Sequence, residues 1–115
     1  MKMLFVLNDA PYGSERSYNG LRLAGSLARK EAEVKVFLIG DAVGCAKSGQ
    51  TVPQGYYNAG DMLGSIIRRN AEVGVCGTCI DARGIKEQDL SEGVHRSSMD
   101  ELTAWTGWAD KALVF

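Results

Sequence analysis

The sequence predicts an α/β fold: one domain over residues 1–115, with a parallel sheet of about five strands between two helical layers in an α/β/α sandwich. Three observations lead there. Short continuous apolar runs, at Lys2 to Leu7, Val34 to Ile39, Val73 to Val75 and Ala112 to Phe115, have the unbroken character of strands buried on both faces. Between them lie segments whose apolar residues recur every three or four positions, so strands alternate with helices as in a sheet built from crossovers. The chain has 115 residues, 45% of them hydrophobic, which is enough to bury a core without disulfide or metal staples.

The first run ends at Asn8-Asp9-Ala10-Pro11-Tyr12-Gly13, a loop. Ser14, with Glu15 and Ser17, then opens a helix whose apolar stripe is Tyr18, Leu21, Ala24, Leu27 and Ala28, ending near Glu31. The second strand is broken by Gly40-Asp41. A helical turn over Asp41 to Ala46 is expected there, inside an irregular segment that continues to Gly60. Tyr56 and Tyr57 argue that this segment is ordered, because paired aromatics are costly to leave in water. Asp61 begins a second helix, with Met62, Leu63, Ile66 and Ile67 on one face. After the third strand the chain turns at Gly84. It passes a polar stretch with a helical turn around Glu87 to Leu90 and reaches a short fourth strand at Gly93 to Arg96. Ser98 with Glu101 is a capping box, so a helix starts there, with Met99, Leu102, Trp105 and Ala109 facing inward. Ala112 to Phe115 closes the sheet, since so apolar a terminus must be docked.

Thirteen basic residues oppose fourteen acidic ones for a net charge of −1, and the cations are scattered, which argues against a nucleic-acid partner. An odd count of three cysteines, two of them close together, argues against a secreted disulfide framework and for thiols kept reduced in a cytoplasm. Met3 to Leu7 is too short for a signal-peptide core or a bilayer span, so no membrane is expected. With neither a G-x-x-x-x-G-K nor a G-x-G-x-x-G pattern, no nucleotide cofactor is called for.

The chemistry centres on Cys76-Gly77-Thr78-Cys79, delivered at the end of the third strand. Strand-to-helix loops of a parallel sheet emerge along one edge. This topology is expected to gather Asn8, Tyr12, Asp41, Cys45, Cys76, Thr78, Cys79, Arg83 and His95 there. Cys76 reads as a nucleophilic thiolate supported by backbone N–H groups of the turn from Thr78 and by the Arg83 cation, or as a small buried hydrophobe. Cys79 is a resolving thiol, a second carrier or packing. A thioredoxin-type role conflicts with Gly84, which halts the chain five residues later. Cys45 and His95 could complete a Cys₃His zinc set with the pair, although they come singly from separate loops. For Asn8, Tyr12 and Asp41, turn formation and rim packing compete with a role in a pocket.

Several separated motifs together resemble the DsrE-like family of small sulfur-relay proteins. They are Ala10-Pro11-Tyr12-Gly13 after the first strand, a cysteine ending the third, Arg83-Gly84 closing the next turn and the C-terminal Asp-Lys-Ala-Leu-Val-Phe strand. The resemblance spans essentially the whole chain. It implies a five-stranded parallel sheet and assembly into trimers or hexamers. It also implies sulfur transfer between protein partners, a donor and an acceptor, through a persulfide-bearing cysteine seven positions before the arginine, which is Cys76. On this reading Cys79 assists, Arg83 supports electrostatically, and Cys45 and His95 take part. Cys79 and Cys45 are additions to the single-cysteine relay pattern. The competing expectation is a Cys/His metal-binding or purely structural oligomer without catalysis.

Overall fold

The computed structural model describes residues 1–115. Five strands form one sheet: β1 (Lys2–Leu7), β2 (Glu33–Leu38), β3 (Glu72–Cys76), β4 (Val94–Ser97) and β5 (Lys111–Val114). Their order is β4-β3-β2-β1-β5, and every neighbouring pair is parallel. The helices are α1 (Arg16–Arg29), α2 (Ala59–Ile67), α3 (Gly77–Ala82) and α4 (Met99–Trp108), with 3-10 turns at Gly40–Ala46 and Glu87–Asp89. The expected α/β class and strand count are therefore met.

The strand order explains the two layers. From β1 to β4 the chain steps outward in one direction, so right-handed crossovers put α1, α2 and α3 on one face. The return from β4 to β5 runs the other way and puts α4 on the opposite face. On the first face Met3, Phe5, Leu7, Val36, Leu38, Val73 and Val75 meet Leu21, Ala24, Leu63, Ile66 and Ile80 in the larger core. On the second, Leu4 and Phe37 meet Trp105. Gly74 lies beneath that indole: a Cβ there would come within 3.1 Å of the ring and 3.0 Å of Ser97 Cβ, so the absence of a side chain at position 74 lets α4 pack this closely. Lys35 completes the contact, with its ammonium 5.2 Å from the Trp105 ring centre and 4.4 Å from that of Trp108.

Boundaries differ from the sequence reading where side chains chose other partners. The hydroxyl of Ser14 donates to Asp9 at 2.7 Å and accepts the Arg16 N–H at 3.3 Å from one position before the N-cap, Glu15, so α1 starts at Arg16. Asn58 accepts the N–H of Asp61 at 3.0 Å, which starts α2 at Ala59, two residues before the expected Asp61. Met99, expected inside, is 62% exposed because it sits in the first turn of α4, whereas Trp105 is buried. The terminus is docked as expected: Phe115 donates its N–H to the Val6 carbonyl at 2.8 Å and stacks on Phe5. As an outer strand, β5 nevertheless leaves Val114 exposed.

Candidate active site around Cys76

Cys76 is both the last residue of β3 and the N-cap of α3. Its half-buried Sγ accepts the backbone N–H of Cys79 at 3.4 Å and lies 3.4 Å from Thr78 Oγ1. The strand holds the Cα rigidly, and the sharp entry into α3 turns two side chains and the backbone N–H of Cys79 back toward the sulfur. Partial burial opposes ionisation of this thiol. Hydrogen bonds from the Cys79 and Thr78 side chains, and from their backbone N–H groups, outweigh it and hold Cys76 below the ordinary thiol range. Cys79 shifts the other way. Burial raises it, as do its hydrogen bond to Cys76 and the charge there, against the lowering effect of the Gly40 N–H 3.3 Å away and of Arg83. The pair is thus polarised, with Cys76 ionising first while Cys79 keeps its proton.

Two arginines flank the pair, and each is anchored by a carboxylate. Arg83 donates from Nε and Nη2 to Asp41 Oδ1 at 3.2 and 2.7 Å and from Nη1 to the Cys79 carbonyl at 3.0 Å. Asp41 therefore sits at this edge as expected, but as the partner that orients Arg83. Arg96 makes a bidentate pair with Asp81, both contacts 2.8 Å. Its guanidinium crosses Gly77 so closely that a Cβ there would come within 2.8 Å of it. Each aspartate raises the pKa of its arginine, and the charge of Cys76 adds to both. The sequence reading missed Arg96, Asp81 and Gly77. The available signal was the two-residue strand period, which turns Arg96 away from His95 and toward α3.

Other expected residues are not gathered here. Cys45 is fully buried in the larger core, because the 3-10 turn directs Ala42, Val43, Cys45 and Ala46 inward, and burial pushes its thiol up to about 12. His95 lies on the α4 face, where Nε2 bonds Glu101 and the ring meets Trp105 edge-on at 5.8 Å. Asn8 donates from Nδ2 to the Phe115 carbonyl at 3.1 Å and so secures the terminus. Tyr12 bonds the Gln50 side chain through its hydroxyl, accepts the Ala59 N–H at 3.1 Å, and joins Tyr18, Tyr56 and Tyr57 around a cleft of about 400 Å³. The expectation that one edge assembles all three cysteines and the histidine is corrected. Only Cys76, Thr78, Cys79, Arg83 and Asp41 come together. No three His, Cys, Asp or Glu side chains converge on a point that could hold a metal, so the Cys₃His set is not formed.

The arrangement can act as a sulfur nucleophile, since a thiol whose ionisation is favoured is presented at a strand end with a second thiol beside it. No helix is long and apolar enough to cross a membrane. YchN of Escherichia coli strain K12 is 42% identical over 116 residues, covering 99% of this chain and 98% of that protein. An uncharacterised protein of Methanopyrus kandleri is 41% identical over 110 residues, covering 96% and 90%. The crystal structure of the E. coli YchN protein matches with a TM-score of 0.94 at 42% identity, over 100% of this chain and 99% of that one. A protein of unknown function from Methanobacterium thermoautotrophicum shares the fold, with a TM-score of 0.80 at 12% identity over 99% and 98%. The DsrE/DsrF-like family pattern matches residues 1–115, and the chain belongs to that family.

Proposed function

We propose that this protein is a sulfur carrier that accepts a persulfide sulfur on Cys76 and passes it to an acceptor thiol. The polarised thiol pair carries this reading, because Cys76 is half-exposed and biased toward thiolate while Cys79 keeps its proton. Membership of the DsrE/DsrF-like family, which suggests a sulfur-relay role, adds support. In the loading step the Cys76 thiolate attacks the outer sulfur of a donor persulfide. The donor's S–S bond breaks, the donor leaves as a thiolate, and Cys76 carries Cys–S–SH. In the unloading step an acceptor thiolate attacks that outer sulfur and Cys76 leaves as the thiolate. Cys79 and Thr78 stabilise the same charge at Cys76 before loading and after unloading, while Arg83 and Arg96 contribute a positive field.

The partners on this reading are donor and acceptor proteins met in the cytoplasm, and the assembly is a trimer or hexamer of this chain. Exposed Tyr56, Met99 and Val114 are available for contacts with other chains. Mass measurement in solution tests the assembly. The carrier role is tested by incubation with glutathione persulfide followed by intact-protein mass. A gain of one sulfur is expected in Cys79→Ser and in the double variant Cys45→Ser/Cys79→Ser, and none in Cys76→Ser; a gain that survives in Cys76→Ser and disappears only with Cys45 would overturn the assignment.

A further inference from the structure

Carrying sulfur requires one cysteine, and this site holds a second one three residues on, with its own set of donors. The Cys79 sulfur accepts the Gly40 N–H at 3.3 Å, from the segment after β2, and the side chain of Arg83 lies across the same turn, bonded to the Cys79 carbonyl. An N-cap residue and the residue three positions on face one another, and Cys76 Sγ already touches the Cys79 backbone at 3.4 Å. That spacing lies within the Cα separations that disulfides span.

Resting on the carrier reading, we infer that Cys79 resolves the Cys76 persulfide, so that the pair releases the carried sulfur reductively as hydrosulfide and becomes a Cys76–Cys79 disulfide. Cys79 first gives its proton to solvent. Its thiolate attacks Sγ of Cys76, the Sγ–Sγ bond forms as the bond to the outer sulfur breaks, and the outer sulfur leaves with the electron pair as HS⁻. Two thiol sulfurs are oxidised to one disulfide, and the sulfane sulfur is reduced by two electrons. An external small dithiol or a dithiol protein reduces the disulfide and restores the pair.

The electrostatics time the second step. While Cys76 is an empty thiolate, its charge and its demand for the Cys79 proton hold Cys79 protonated. Once Cys76 carries sulfur, that charge is neutralised or moved one bond outward, and both restraints on Cys79 weaken. The Gly40 N–H and Arg83 remain, and both favour the Cys79 thiolate. Cys79 is therefore a hydrogen-bond donor in the empty protein and a nucleophile in the loaded one.

The test loads reduced wild type and Cys79→Ser with glutathione persulfide, removes small molecules, and follows hydrosulfide release and intact mass without added reductant. The wild type is expected to release one hydrosulfide per chain and to end two hydrogens lighter than the reduced protein. The Cys79→Ser persulfide should persist roughly tenfold longer or more, its serine still offering a hydrogen bond to Cys76. A wild-type persulfide that lasts as long as that of the variant overturns the inference and leaves the carrier reading standing. Release from Cys79→Ser at the wild-type rate also overturns it. Failure of both proteins to take up sulfur overturns the carrier reading and this inference together.

Discussion

At Cys76, hydrogen bonding from Thr78 and Cys79 to one sulfur outweighs its partial burial, and the consequence is directly measurable. Iodoacetamide should label Cys76 with a midpoint below that of a free thiol, whereas Cys79 should lag behind it across the neutral range. Thr78→Val removes a hydroxyl 3.4 Å from the sulfur. A hydrogen bond to a half-exposed thiolate is worth about 0.6 kcal/mol, so labelling of Cys76 near neutral pH should slow about threefold. An unchanged rate would show that the backbone N–H and Cys79 suffice alone. The arginines are weaker levers, because both are partly solvated and each is already paired with an aspartate.

At the scale of elements, α4 is the one layer on its face of the sheet, and its attachment depends on Trp105 over Gly74 and Phe37. Trp105→Ala should cost about 3–5 kcal/mol, as truncation of a buried indole does. Gly74→Ala, which forces a methyl group against the ring, should cost about 1–3 kcal/mol. Urea unfolding midpoints check both, and losses near zero would mean that α4 is held mainly by its connections. The elements themselves were legible in the sequence to differing depths. The apolar runs announced β1, β2 and β3, and the capping box at Ser98 announced α4, because local chemistry sets both. The start of α2 was not legible, since it depends on Asn58 capping three residues before Asp61, the first obvious helical residue. Nor was the role of Gly74, which depends on a tryptophan thirty-one positions away.

Over the whole molecule, topology foretold that strand ends meet at one edge, but it could not tell which way each side chain turns there. That is why Cys76, Thr78, Cys79, Arg83 and Asp41 were read correctly as neighbours while Cys45 and His95 were not. The 3-10 turn that buries Cys45 couples its titration to global stability. Its thiol is raised from the ordinary value near 9.0 to about 12 in the folded protein. Below the unfolded value both states hold the proton, and the stabilisation is fully present. As pH rises past it, the unfolded chain ionises while the folded one does not, so fewer protons are bound in the unfolded state and stability falls. The loss should run at about 1.4 kcal/mol per pH unit above pH 9. Cys45→Ala removes this contribution at a cost of about 1–2 kcal/mol from lost packing at neutral pH. Urea unfolding of the two proteins from pH 8 to pH 11 should show the wild type's advantage shrinking and then reversing, and a difference that stays constant would mean that the Cys45 thiol is free to ionise in the folded protein.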